Sequence, residues 1–200
     1  MTKAGQATKL RSRPMSVSAV SLFLALIALL LAALVVVLVI GSLVAGRAIE
    51  PLRAMVRPVA YELATAVAVG STLGSLYMSE VADYEPCQLC WVQRYFMYPA
   101  ALLLIIGLFA KRRLFSKLAL ALAVGGVPVS ILHRYEQASG KTVGNLCELD
   151  NPCSGKWVNE FGFVTIPTMA GIGFVAIIVF TALSLGWLSL GSGAGSEADS

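Results

Sequence analysis

The chain has 200 residues, 58% of them hydrophobic and 13% charged, with a formal net charge of +4. That is too apolar for an ordinary soluble domain. The basic residues cluster beside apolar runs, where membrane topology accounts for them without a nucleic-acid partner. No phosphate-binding loop or solenoid repeat is present, and there is a single histidine. The composition predicts an all-α polytopic membrane protein, one helical bundle with no separate soluble domain.

Residues 1–16 form a polar tail carrying Lys3, Lys9, Arg11 and Arg13, expected to be flexible. An uncharged stretch of 29 residues runs from Val17 to Ala45. It is far longer than a signal-peptide core of roughly 7–15 residues, and the residues around Ala45 make a poor cleavage site. It reads as one tilted membrane span. Arg47 to Arg53 reads as a basic turn, with Pro51 expected to block a continuous helix. The second span runs from Val59 to Met78. Its Gly70 and Gly74 have the spacing of close helix packing, though chance explains two glycines equally well.

Glu80 to Glu85 is a short acidic loop, and Pro86 precedes Cys87 and Cys90. The third span, Trp91 to Ala110, contains Pro99, an expected kink. Lys111, Arg112, Arg113 and Lys117 make a compact basic turn. The fourth span runs from Leu118 to Leu132, with Gly125, Gly126 and Pro128 expected to loosen it, and ends in His133-Arg134-Tyr135-Glu136. His133 reads as an interface residue, with a proton or quinone role as the sharper alternative; Arg134 reads as a snorkelling anchor. Residues 137–163 form a polar loop holding Cys147 and Cys153, with Trp157 and Phe161 suited to the membrane interface. The last span runs from Val164 to Leu190, and Gly191 to Ser200 reads as a disordered tail.

The four cysteines form two close pairs at span edges, which suits an oxidising compartment. A Cys-x-x-Cys pair serves either thiol–disulfide exchange or half of a metal site. If Cys90 opens a helix, Arg94 at i+4 lies on the same face, and its cation favours a reactive Cys90 thiolate. An arginine just inside a span is costly and marks a functional site. A four-cysteine zinc site is the chemical rival, and a structural staple is the bland reading of each pair.

The Lys111–Lys117 turn, short and free of acids, is the strongest inside signal. Placing it in the cytoplasm puts both cysteine loops outside and the basic turn after Arg47 inside. The N-terminal tail, with one span at 17–45, then lies outside, against the rule.

The run Glu-Pro-Cys-Gln-Leu-Cys-Trp-Val-Gln-Arg at 85–94, followed by Met97-Tyr98-Pro99, resembles the signature of DsbB-type disulfide bond formation proteins, especially the BdbC-like branch. Phe161-Gly162-Phe163-Val164-Thr165-Ile166-Pro167 is similar to the same branch. The resemblance covers residues 57–190 and implies a membrane four-helix bundle, to which residues 17–45 add one N-terminal helix. It further implies a quinone-dependent thiol oxidoreductase in a bacterial cytoplasmic membrane, with both cysteine loops extracytoplasmic. The implied partner is a DsbA-like thioredoxin-fold thiol oxidase, and the implied acceptor a membrane quinone, ubiquinone or menaquinone.

Carried over residue by residue, Cys147 forms the mixed disulfide with the partner and Cys153 passes the electrons to Cys87. Cys90 contacts the quinone and Arg94 supports its reduction. Gln93 is a candidate hydrogen-bond donor to the quinone or a helix-packing polar residue; Trp91 and Tyr95 are candidate lining residues or interface anchors. Five residues separate Cys147 from Cys153, the short spacing of BdbC-like members rather than the wider one of the best-known DsbB-type proteins. Two alternatives stand beside this reading. A vitamin K epoxide reductase-like protein shares the four-helix plan but places the Cys-x-x-Cys after the loop pair. A non-catalytic membrane protein would use its cysteines structurally or for zinc.

Overall fold

The computed structural model describes residues 15–44, 48–141, 147 and 152–187. Both expected tails therefore lie largely outside the described residues. Among the described residues, five helical spans are long and apolar enough to cross a membrane. Helix α1 is Met15–Val44. Helix α2, Glu50–Val56, leads through a 3₁₀ turn at Arg57–Val59 into α3, Ala60–Leu76, which ends in a π turn at Tyr77–Val81. Helices α4, Gln88–Phe109, α5, Arg112–Ser139, and α6, Ile166–Ser184, complete the chain. The expected all-α polytopic bundle is thus present, with all five spans.

Several local expectations are corrected. Pro51 sits in the first turn of α2, where its missing N–H costs no hydrogen bond; α1 ends at Val44, so no continuous helix runs through Pro51, but Glu50 to Arg53 is helix rather than turn. The fourth span does not end at Leu132. It continues through His133 and Glu136 to Ser139, where Gly140 at φ +68° donates its N–H to Glu136 O and stops the helix, the usual left-handed glycine cap.

Within a membrane, lipid is as apolar as a side chain, so helices associate by close packing rather than by burying grease. Ala60, Ala64, Ala68, Ala100, Ala119, Ala123 and Ala176 accordingly fill the core, while Phe109, 88% exposed, and Leu43 point outward. Gly125 and Gly126 do not loosen α5. They receive the rings of Phe96 and Phe174, whose atoms lie 2.6 and 2.4 Å from where a Cβ would stand. Gly107 similarly makes room for Tyr61, whose hydroxyl donates to Leu104 O at 2.8 Å. Gly70 and Gly74, by contrast, pack no helix closely: nothing lies within 4 Å of a Cβ at Gly70, and at Gly74 the first atom met is Leu24 Cδ1 at 3.5 Å.

The bundle has two distinct ends. At one, Arg112 pairs with Glu62 and lies over the Tyr61 ring, near the 3₁₀ turn that carries Arg57. At the other lie both cysteine pairs. The start of α1 belongs to the cysteine end, because Val17 packs with Met78, Tyr84 and Val158.

Candidate active site

Pro86 cannot donate a helical hydrogen bond, and Cys87 takes an extended conformation (φ −74°, ψ 171°) as the N-cap of α4. Cys90 therefore lies in the first turn of a helix, as the sequence predicts, with Arg94 one turn deeper. The two sulfurs are 3.0 Å apart and unbonded. Cys147 and Cys153 form a disulfide. In this state neither sulfur of that pair is a free thiolate. Cys87, Leu89 and Cys153 are buried in one apolar cluster, with Cys90 and Cys147 packed against its edge. Two loops some sixty residues apart in sequence thus share one apolar cluster through their cysteines.

His133, expected at the interface, is 1% exposed, with Nε2 3.6 Å from Cys87 Sγ. Its Nδ1 is buried without a hydrogen-bond partner. A proton on Nε2 makes that nitrogen a donor to the Cys87 sulfur. The Cys90 thiol, hydrogen-bonded to the Cys87 sulfur, holds Cys87 well below the usual thiol value of 9.0, to about 4. His133 adds to the lowering and burial opposes it.

One turn on, Glu136 is fully buried, with Oε2 3.3 Å from Cys147 Sγ. A disulfide sulfur carries no proton, so this contact is not a hydrogen bond from sulfur. Helix α5 therefore carries a titratable group beside each pair, at i and i+3. Arg134 between them is half-buried, with Nη1 shielded from water.

Arg94 is 9% exposed. Its Nε donates to Ser75 Oγ and its Nη2 to Ser75 O, both at 3.0 Å, rather than to either sulfur. Its guanidinium lies 5.0 Å from the Trp91 ring centroid and 6.0 Å from that of Tyr98. No carboxylate among the described residues pairs with it. An arginine at the centre of a span costs about 2.5–3.5 kcal/mol on insertion scales, an upper bound for Arg94, which lies nearer the start of α4. Two hydrogen bonds from a charged donor, about 1.5–3 kcal/mol each, offset that without an acid. The cation thus keeps its charge for whatever enters the adjoining space.

That space is an apolar cavity of about 420 Å³, bordered by Cys90, Gln93 and Arg94. Gln93 donates to Ser130 Oγ at 3.3 Å, so it serves helix packing while bordering the cavity. Trp91 and Tyr95 do not line it; both are exposed, and Trp91 reaches the site only through Arg94. Trp157, expected at the interface, instead stacks on Tyr84 at 5.3 Å and ties the second cysteine loop to the first. Phe161 is exposed, in the tight turn closed by Glu160 and Val164. Ser75, Tyr98 and Glu136 are site residues that sequence reasoning missed. Glu136 gave a signal as a second titratable group three positions after His133 at the end of an apolar run, and Tyr98 as part of the Met97-Tyr98-Pro99 motif.

A dithiol and a disulfide brought together at one end of a helical membrane bundle define a membrane thiol oxidoreductase. Residues 57–185 match the family model described as disulfide bond formation protein DsbB, and the chain belongs to that family. Disulfide bond formation protein C of Bacillus subtilis is 44% identical over 121 residues, 60% of this chain and 88% of that protein. A probable disulfide formation protein C 1 of Bacillus anthracis is 44% identical over 115 residues (54% and 79%). A probable disulfide formation protein C of Halalkalibacterium halodurans is 38% identical over 122 residues (58% and 85%). No solved structure matches. The protein is accordingly a multi-pass membrane protein of disulfide bond formation, and α1 lies outside the matched region.

Proposed function

We propose that the protein reoxidises a DsbA-like thioredoxin-fold thiol oxidase at Cys147–Cys153 and delivers the electron pair through Cys87 and Cys90 to a membrane quinone. The observation that carries this reading is a division of labour between the first two sulfurs. Cys90 borders the apolar cavity, whereas Cys87 faces His133 and shares a buried cluster with Cys153. The positive-inside rule supports an extracytoplasmic cysteine end, since Arg57 and Arg112 lie at the other.

A thiolate of the reduced partner attacks Cys147, the less buried sulfur of its pair, and Cys153 leaves. The partner's second thiol closes its own disulfide and releases Cys147. Cys153 then attacks Cys87, and Cys90 leaves as a thiolate. Cys147 resolves the Cys87–Cys153 disulfide, so the second pair is a disulfide again and the first a dithiol. This is the arrangement the sulfurs have here. His133 holds negative charge on Cys87 through its Nε2–H.

The cavity fits a quinone: its walls are apolar, a reducing sulfur stands at its edge, and an unpaired cation borders it. A quinone bound there accepts two electrons and two protons and leaves as quinol. Cys87 and Cys90 lose the same two electrons and two protons in forming their disulfide. Arg94 offers its charge and Gln93 its amide to the head group.

The test follows quinone absorbance with purified protein, a reduced thioredoxin-fold oxidase and a soluble quinone. Consumption by the parent protein, abolished by both Cys90→Ser and Cys147→Ser, is expected. Consumption that survives Cys147→Ser would make the second pair a staple. No consumption with a panel of partners would sink the relay and return the cysteines to a structural or metal role.

A further inference from the structure

Helix α1 is not part of the family match, yet it forms one side of the cavity beside Cys90. Its Leu24, Ile27, Ala28 and Leu31 line the space. They recur at i, i+3, i+4 and i+7, one continuous stripe of the helix. Across from them α3 presents Gly70, Ser71, Gly74 and Ser75. The volume exists because this face carries almost no side chain: a Cβ at Gly70 would meet nothing within 4 Å. Helix α1 rests chiefly on α6 and touches α3 at Leu24 and Gly74, so it closes the cavity without filling it.

The space is polar at one end only. Cys90, Arg94 and Ser75 gather there, whereas farther along α1 the walls include Leu34, Leu63 and Phe180. From Leu24 to Leu34 the helix rises about 15 Å at 1.5 Å per residue. The volume of about 420 Å³ falls within the usual range for small-molecule sites. An amphiphile with a compact polar head and a long apolar tail matches this shape.

We infer that α1 is a selectivity wall: its stripe at Leu24, Ile27, Ala28 and Leu31 holds the polyprenyl tail of the acceptor quinone, so the enzyme discriminates quinones by tail as well as head. The inference rests on the quinone reading above. In lipid the tail already has apolar surroundings, so the preference must come from packing against this stripe rather than from leaving water.

The test uses the full chain in nanodiscs, with quinones that share one head group and carry no tail or several isoprene units. Concentrations are expressed as mole fraction in the disc, so partitioning alone creates no preference. Binding is read by quenching of tryptophan fluorescence, independently of turnover. The parent protein is expected to bind the long-tailed quinone at least about tenfold more tightly. Ala28→Phe from the α1 side and Gly70→Leu from the α3 side are each expected to cut that ratio at least about tenfold. A parent with no tail preference overturns the inference while leaving the quinone reading intact, because the tail-less quinone still binds. So does a ratio that both variants preserve, including one preserved because both ligands weaken alike. A parent that binds no quinone at all overturns the reading and the inference together.

Discussion

Removal of His133 tests the electrostatics of the first pair. The imidazole stands 3.6 Å from Cys87 Sγ, at the long end for a hydrogen bond to sulfur. A hydrogen bond to a charged group contributes about 1.5–3 kcal/mol, and the distance argues for the lower figure. At about 1.4 kcal/mol per unit, His133→Ala is expected to raise the Cys87 midpoint by about one unit. A Cys90→Ser background isolates one titrating thiol, since Cys147 and Cys153 are bonded to each other. Thiolate absorbance in the ultraviolet gives the midpoint directly. The sign is fixed: a lowered value means the thiolate is present above the midpoint and disappears as pH falls through it. Losing His133 moves that disappearance to higher pH. His133→Gln, which keeps an N–H donor, should recover part of the shift. A midpoint within about 0.3 unit of the parent in His133→Ala would refute the assignment of His133 as a donor to Cys87.

Arg94→Lys loses the planar fork that serves two atoms of Ser75 at once, and such replacements are not conservative. It should lower kcat/KM for quinone at least about tenfold while leaving the single-turnover exchange between the partner and the cysteines unaffected. Gly107→Ala would place a Cβ against the Tyr61 hydroxyl and displace it from Leu104 O. The expected loss is about 1–3 kcal/mol, read as a lower thermal midpoint in detergent. Trp157→Ala removes the stack on Tyr84, about 0.5–1.5 kcal/mol beyond lost area. Stopped-flow measurement should show slower transfer from Cys153 to Cys87 with the initial attack on Cys147 unchanged.

The spans were legible because each is a long apolar run with at most one charged residue, and the start of α4 because Pro86 precedes a Cys-x-x-Cys at its mouth. Helix interruptions were less so: Pro51 breaks a helix interior but suits a first turn, and the sequence does not say which one it occupies. The glycines carried the same ambiguity. Gly126 and Gly70 are alike in a one-dimensional reading; one receives Phe174 and the other faces open space. Whether a small residue closes a contact or opens a cavity depends on a neighbour distant in sequence. His133 could not be placed beside Cys87 from spacing, since they are 46 positions apart. Ser75 gave no signal, because a serine in an apolar helix ordinarily bonds its own backbone, as Thr72 does to Ala68 O.

The Tyr84–Trp157 stack has a consequence for how fast the two pairs can exchange. Loops that find each other by diffusion through short flexible linkers do so at an effective concentration of about millimolar. Groups held in place before reaction reach values many orders of magnitude higher. With both loops clamped to one another, the search entropy is removed during folding rather than at each turnover. The internal transfer then becomes a property of the resting geometry, insensitive to the viscosity of the surrounding medium.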